Sequence, residues 1–178
     1  MKTMMAGALA ILLSTTALAG PGGFSANRID PATTGFPWMN GPARDSRYEL
    51  AAPANQNKVH VLEAYSVSCS WCNRNAVQVD AMADEFRLDA RVQFLDLGLD
   101  SNDRDYQRWI QANAPNHPVV KDVGHVVWQA LMQDDGIPQT FVLDCAGNLT
   151  GATIGYWGEA EKTAIRAAIA AAESVTCP

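Results

Sequence analysis

The sequence lacks an excess of basic residues, internal repeats and a long apolar segment, three features that mark large classes of proteins. It has no excess of basic residues, since 13 Lys and Arg stand against 19 Asp and Glu, giving a formal net charge of −6. Nucleic-acid binding needs basic patches, so that function is not indicated. No internal repeat is visible, and the apolar core at residues 4–13 is well short of the ~20 residues that a membrane span needs. The length is sufficient for one domain with a proper core.

Residues 1–19 have the pattern of a secretory signal peptide. Lys2 is followed by an uncharged stretch rich in Ala, Leu and Met that ends in Ala-Leu-Ala at Ala19. We expect cleavage after Ala19 and a periplasmic or secreted protein with no stable membrane insertion. An uncleaved N-terminal anchor is the alternative. A lipid anchor is not expected, because no cysteine stands at the cleavage point.

Residues 20–57 form an N-terminal arm rich in Pro and Gly, which occur too often there for a long helix or strand. We predict that this arm packs loosely on the domain, is partly ordered through Phe36 and Trp38, and has a short strand near Tyr48. Binding of a partner is the alternative role.

From residue 58 to residue 178, strand and helix patterns alternate. Val59–Tyr65 is mostly apolar and predicts a buried strand, and the apolar spacing after Cys69 predicts an amphipathic helix to about Leu88. The later segments predict a strand, a helix, a short extended piece at 118–120, a short helix over 125–132, a strand, a hairpin turn at 146–148, a returning strand and a last helix over 159–173. This order predicts an α/β fold in which helices cover both faces of a mixed sheet.

Cys69 and Cys72 form a Cys-x-x-Cys motif between the first strand and its helix. Both sulfurs would then lie on the first helical turn, where free N–H groups stabilise a thiolate, the nucleophile of disulfide exchange. A zinc ribbon would need a second such pair, and haem attachment would need histidine at position 73, which is Asn73. The pattern therefore favours a redox pair over a structural zinc half-site. A copper site that uses both cysteines and a histidine is a further alternative.

From about Val59 to Ala172 the chain resembles the thioredoxin superfamily. Three blocks carry the resemblance: Cys-Ser-Trp-Cys with the helix after it, Gly-Ile-Pro-Gln-Thr-Phe-Val-Leu, and Ala-Gly-Asn-Leu with the later Ile-Gly. An added helix and short strand over 103–121 make the chain look like the periplasmic thiol–disulfide reductases of cytochrome c maturation. The resemblance implies a thioredoxin-like fold with a small helix–strand insert before the cis-proline loop.

The resemblance also implies the roles of single residues. Cys69 matches the attacking cysteine and Cys72 the resolving cysteine, while Glu63 matches a buried carboxylate that would accept the proton of Cys72. Pro138 matches the cis-proline, and the backbone of Ile137 beside it would bind an extended substrate segment. An ordinary charged residue at a strand edge is the alternative for Glu63, and a trans-proline for Pro138.

Two positions depart from the family pattern. Ser68 stands where the family usually has tryptophan, and the aromatic side chain lies instead inside the motif as Trp71. We expect Trp71 to contact substrate. Because the residues between the cysteines tune thiolate stability, the redox potential cannot be taken from any relative.

Cys145 and Cys177 need a separate interpretation. In a thioredoxin-like topology both would lie at the end of the sheet away from the redox pair, which implies a structural disulfide between them. A second redox relay is the alternative.

Together these patterns predict an exported thiol–disulfide oxidoreductase that reduces protein disulfides and receives electrons from a membrane thiol donor. No cofactor, metal ion or nucleic acid is expected. The alternatives are a disulfide oxidase or isomerase of the same fold, a copper-binding domain, and a non-catalytic binding module.

Overall fold

The computed structural model of the chain describes residues 27–43 and 45–177. The predicted signal peptide lies outside these residues. Within them, no helix is both long and apolar enough to cross a membrane.

The described residues form strands and helices in the order that the sequence predicts, preceded by a short hairpin. In chain order they are β1 (Gly35–Pro37), β2 (Arg47–Glu49), β3 (Val59–Tyr65), α1 (Ser70–Glu85), β4 (Val92–Gly98), α2 (Asp103–Asn113), β5 (Val119–Lys121), α3 (Val126–Leu131), β6 (Gln139–Leu143), β7 (Leu149–Ile154) and α4 (Glu159–Glu173).

Five of the strands form the central sheet, in the order β5–β4–β3–β6–β7. β3, β4 and β5 are parallel, whereas β6 and β7 are antiparallel to their neighbours. β3 lies at the centre and is buried at every position, which explains its nearly continuous apolar sequence. The predicted mixed α/β sheet is confirmed, and so is the helix–strand insert, which is α2 with β5.

The two faces of the sheet are covered by different elements. α1 and α4 pack on the face that carries Val61, through side chains that include Val79 and Ile165. α3 packs on the face that carries Leu62, and part of that face is covered by the N-terminal arm instead of a helix. The redox motif therefore begins a helix that is packed along its length on the central sheet.

The arm does not pack loosely where the structure describes it. β1 and β2 pair in antiparallel fashion, and Phe36, Tyr48 and Leu50 are buried in the main hydrophobic core. The prediction of a loose arm is wrong, because apolar residues isolated among Pro and Gly show no periodicity although each of them faces the sheet.

Backbone hydrogen bonds hold the arm at both sides of the sheet. The Leu149 N–H at the start of β7 donates to the Asn27 carbonyl at 2.7 Å, and the Met39 N–H donates to the Val119 carbonyl of β5 at 2.8 Å. The arm thus crosses one face of the sheet and contacts both of its outer strands.

We expect Tyr48→Phe to lower the free energy of unfolding by about 1–2 kcal/mol, because His60 loses a buried hydrogen-bond partner. The Tyr48 hydroxyl lies 3.3 Å from His60 Nε2, and both side chains are buried. Burial, helped by the nearby Lys58 charge, lowers the pKa of His60 to about 4, so its ring is neutral at pH 7. Urea denaturation at pH 7 measures the effect, with Tyr156→Phe as a control in a half-exposed tyrosine. Equal midpoints for Tyr48→Phe and the unchanged protein would contradict the prediction.

Candidate active site

Cys69 is the N-cap of α1, and its side chain accepts a hydrogen bond from the helix. The Cys72 N–H lies 3.1 Å from the Cys69 sulfur. Cys69 is partly exposed, whereas Cys72, one turn further on, is only 3% exposed. The two cysteines form a disulfide with their Cα atoms 5.2 Å apart. One accessible and one buried sulfur are what an attacking and a resolving cysteine require.

The loop before Cys69 is fixed by polar side chains. The Asp100 carboxylate, just after β4, accepts hydrogen bonds from the Val67 N–H and the Ser66 hydroxyl, each at 2.8 Å. The Asn73 side chain donates to the Val67 carbonyl at 3.2 Å. Sequence analysis did not identify Asp100, whose only signal is its position at the carboxyl end of a predicted strand. These contacts hold the backbone that presents the Cys69 sulfur.

Glu63 lies on β3, on the face that α1 covers, and is 3% exposed. Its Oε1 accepts a hydrogen bond from Asn75 Nδ2 at 2.7 Å, and its Oε2 accepts one from the Thr140 hydroxyl. Burial raises the pKa of Glu63 to about 8, although the two hydrogen bonds act in the opposite direction. Near neutral pH this carboxyl can therefore both gain and lose a proton.

The partners of Glu63 belong to a closed ring of buried hydrogen bonds. Asn75 Oδ1 accepts from the Trp157 N–H at 2.8 Å, and Trp157 Nε1 donates to the Thr140 hydroxyl at 2.8 Å. The Thr140 hydroxyl in turn donates to Glu63. The ring joins β3, α1, β6 and the segment before α4, and it fixes the carboxyl through hydrogen bonds from α1 and β6.

Sequence analysis missed the other three residues of this ring, Asn75, Thr140 and Trp157. Asn75 had a signal, because it follows Cys72 by three positions and therefore lies on the same face of α1. Thr140 and Trp157 had none, since only the folded sheet brings them to Glu63.

The structure brings the predicted substrate-binding backbone to the redox pair. The peptide bond between Ile137 and Pro138 is cis. The Ile137 carbonyl oxygen lies 3.9 Å from the Cys69 sulfur. Both residues therefore lie beside the accessible cysteine, and their contact with substrate stays a prediction.

An exposed aromatic pair lies next to the redox motif. Trp71 is 55% exposed and Tyr156 is 42% exposed, with their ring centroids 6.4 Å apart. The Arg74 guanidinium lies 4.9 Å from the centroid of the Trp71 ring. Sequence analysis identified Trp71 but missed Tyr156 and Arg74. The pair offers apolar area to a bound partner, at little cost in conformational entropy.

Cys145 and Cys177 form the other disulfide, with their Cα atoms 5.9 Å apart. Cys145 follows the end of β6, and Pro138 precedes its start, so this disulfide lies at the opposite end of that strand from the redox pair. Its structural role stays a prediction. Within residues 27–43 and 45–177, no cluster of three His, Cys, Asp or Glu side chains could hold a metal ion.

No family model and no curated protein matches this sequence. Solved structures do match. One is a Chlorobium tepidum structure that carries the name thiol:disulfide interchange protein DsbE, with a TM-score of 0.66, 20% identity, and coverage of 84% of this chain and 100% of that one. Another is a secreted Mycobacterium tuberculosis disulfide oxidoreductase, with a TM-score of 0.60, 16% identity, and coverage of 79% of this chain and 97% of that one.

A third matching structure, also from Chlorobium tepidum, is a thiol:disulfide interchange protein of the thioredoxin family. Its TM-score is 0.62 at 14% identity, over 79% of this chain and 93% of that one. The fold is thioredoxin-like. At these identities the likeness establishes the fold alone. Within that thioredoxin-like fold, the start of α1 and the start of β6 meet at Cys69, so the activity has to be argued from the residues there.

Proposed function

We propose that this protein is an exported thiol–disulfide oxidoreductase that reduces disulfides in proteins through Cys69 and Cys72. The observation that carries the proposal is the Cys72 N–H, 3.1 Å from a partly exposed Cys69 sulfur at the start of α1. That N–H and the helix dipole stabilise a Cys69 thiolate once the disulfide is reduced. The names of the matching structures from Chlorobium tepidum and Mycobacterium tuberculosis support the same chemistry here.

The reaction passes two electrons from the Cys69–Cys72 dithiol to a substrate disulfide. The Cys69 thiolate attacks one substrate sulfur, and the other sulfur leaves as a thiolate that takes a proton from water. Cys72 then attacks the Cys69 sulfur of this mixed disulfide, and the second substrate sulfur leaves as a thiolate, which is also protonated by water. The products are the Cys69–Cys72 disulfide and two substrate thiols.

Glu63 is the proposed acceptor of the Cys72 proton. Cys72 is buried, so it cannot pass its proton directly to bulk water. Glu63 is also buried, and it contacts α1 through Asn75, one turn beyond Cys72. With a pKa of about 8, the Glu63 carboxyl has a proton affinity close to that of an ordinary thiol, so the two groups can exchange a proton.

Substrate and donor would bind on the same surface around Cys69. The Ile137 carbonyl, 3.9 Å from the Cys69 sulfur, would accept a hydrogen bond from an extended peptide, and Pro138 would pack beside it. Outside the cytosol the oxidised pair needs a source of electrons, so a membrane thiol protein is the proposed donor. The proposed export depends on the signal-peptide pattern of residues 1–19.

We expect Trp71→Ala to lower kcat/KM for a protein disulfide about tenfold, which corresponds to the loss of a contact worth about 1.4 kcal/mol. Trp71 is exposed beside the redox pair and has the area to contact a large substrate. A small aromatic disulfide such as Ellman's reagent should react at an unchanged rate. Val77→Ala is the matched control, because Val77 is an exposed apolar residue further along α1. Equal losses for both substrates would contradict a role in protein binding.

Reduction of insulin disulfides by the dithiol form tests the proposed function, and equilibration with glutathione gives its direction. A potential near the ~−270 mV of thioredoxin supports the reductase, whereas one near ~−120 mV would make the protein an oxidase. A protein that neither reduces insulin nor oxidises a reduced substrate would overturn the enzyme proposal.

A further inference from the structure

A second buried carboxylate lies beside Glu63. Asp96 of β4 is the in-register partner of Glu63 on β3, and each is 3% exposed. Neighbouring strands place paired residues on the same face, so the two carboxyls face the same buried space. Two carboxylates so close resist simultaneous ionisation. The proposed reaction uses Glu63 and leaves Asp96 without a role.

Asp96 has a cationic partner on its other side. His117 is buried just before β5, with Nε2 3.1 Å from Asp96 Oδ2 and Nδ1 3.4 Å from Asp80 Oδ1. Burial lowers the pKa of His117, but the two carboxylates outweigh it and raise the pKa to about 10. The ring is therefore charged at neutral pH.

The cluster extends from Glu63 to the surface. The Asp80 side chain on α1 is 27% exposed, and its Oδ1 accepts a hydrogen bond from the Asn116 N–H at 3.2 Å. Asn116 Oδ1 lies 2.9 Å from His117 Nδ1, which fixes the ring between the two carboxylates. A line of charge-bearing groups thus connects the buried Glu63 to the solvent-exposed side of α1.

The titratable groups that face this space come from every element around it. They are Asp96 on β4, His117 before β5 with its partner Asp80 on α1, and Tyr65 on β3 itself, whereas Cys72 on α1 is held in the disulfide and does not titrate. The remaining partners of Glu63, Asn75 and Thr140, are neutral. Asp96 and His117 are therefore the charged pair placed to act on Glu63.

We propose that Asp96 and His117 are positioning residues for the proton acceptor Glu63. Asp96 places a negative charge beside Glu63, and the His117 cation partly offsets the effect of that charge. Together the two residues set the pH at which Glu63 exchanges its proton. The catalytic meaning of this pair rests on the proposed function, because Glu63 serves Cys72 there. The electrostatic effect on Glu63 does not depend on any activity.

The two residues act on Glu63 with opposite signs. Asp96→Asn removes the like charge and leaves the cation, so Glu63 should ionise at lower pH. His117→Gln removes the cation and leaves Asp96 uncompensated, so Glu63 should ionise at higher pH. The double variant should return towards the unchanged protein. A merely structural role would not move Glu63 in opposite directions.

The test is NMR titration of the oxidised protein labelled with carboxyl-¹³C glutamate, in which the Glu63 signal is assigned through its loss in Glu63→Gln. We expect midpoint shifts of about one pH unit, down for Asp96→Asn and up for His117→Gln. His125→Gln, at an exposed histidine, should leave the midpoint unchanged. Shifts in the same direction, or none, would overturn the proposal.

A measurement on the unchanged protein covers the case in which a variant does not fold. The ¹⁵N signals of the His117 ring should show both nitrogens protonated at pH 7, and a neutral ring at that pH would overturn the proposal. The proposed function is judged separately by insulin reduction. If the protein is inactive but the two variants shift Glu63 in opposite directions, the proposed function is overturned and this inference stands. If the protein is active but those shifts are absent, this inference is overturned and the proposed function stands.

Discussion

Replacing Cys72 with serine should leave the protein covalently bound to its substrate, whereas replacing Cys69 with serine should reduce insulin reduction to the rate of buffer alone. Cys69 is the partly exposed sulfur and lies 3.1 Å from the Cys72 N–H, so we expect it to begin the exchange. Without Cys72 the mixed disulfide has no internal nucleophile to resolve it. Insulin turbidity measures the activity, and non-reducing electrophoresis after alkylation detects the mixed disulfide.

The second disulfide provides the control for this experiment. Cys145 and Cys177 are bonded at the other end of β6, so the double variant Cys145→Ser with Cys177→Ser should keep its activity while losing stability. A mixed disulfide that forms in Cys69→Ser would contradict the assignment of the attacking cysteine. Loss of activity in the Cys145 and Cys177 double variant, while it remains folded, would favour the second redox relay.

Replacing Glu63 with glutamine should slow the resolving step about 10²-fold at pH 7, because an amide cannot accept the Cys72 proton. In the unchanged protein the rate should rise as the pH passes about 8, where Glu63 becomes ionised. The variant should lack this rise. Stopped-flow measurement of mixed-disulfide decay separates this step from the attack by Cys69. Asp84→Asn, an exposed carboxylate on the same helix, is the matched control.

The raised pKa of Glu63 also makes the stability of the unchanged protein depend on pH. The fold raises the pKa of Glu63 from its ordinary 4.5 to about 8, so the folded state holds a proton that the unfolded state has lost. The contribution is therefore fully present below pH 4.5 and is lost as the pH rises through about 8. Full loss of this contribution corresponds to about 5 kcal/mol in the free energy of unfolding.

Guanidinium denaturation of the oxidised protein at pH 5.5 and pH 8.5 measures this loss. Glu63→Gln should weaken the pH dependence of the free energy of unfolding without removing it. The remainder comes from His117, whose pKa is raised to about 10, because its contribution to stability is also lost as the pH rises. A variant with the full pH dependence of the unchanged protein would show that Glu63 does not have a raised pKa.

The sequence could predict α1 because the chemistry that defines it is local. The prediction began at Cys69 and ended near Leu88, and the helix runs over Ser70–Glu85 with Cys69 as its N-cap. The apolar spacing, the polar turn before it and the Cys-x-x-Cys motif are all within one stretch. The central strands were predictable for the same reason, since a doubly covered strand is apolar along its whole length.

The Asp96–His117 pair shows why part of the site could not be predicted. Asp96 interrupts an apolar strand as Glu63 does, so the pattern itself was visible. Glu63 lies six residues before Cys69, the spacing at which the family has its buried carboxylate. Asp96 had no such match, and its partner His117 reaches it only when β5 pairs with β4. Contacts made by parallel pairing are distant in sequence and have no local signal.

The position of the N-terminal arm has a consequence for the solubility of the domain. An unprotected outer strand is a template for pairing between molecules, and a bare apolar sheet face favours association. The arm covers part of the sheet face that carries Leu62, and Met39 bonds to the outer strand β5. Cleavage between the arm and β3, followed by loss of the arm, would uncover that face and that edge together. We therefore expect the arm to protect the domain against aggregation, while Cys69 at the start of α1 remains partly exposed.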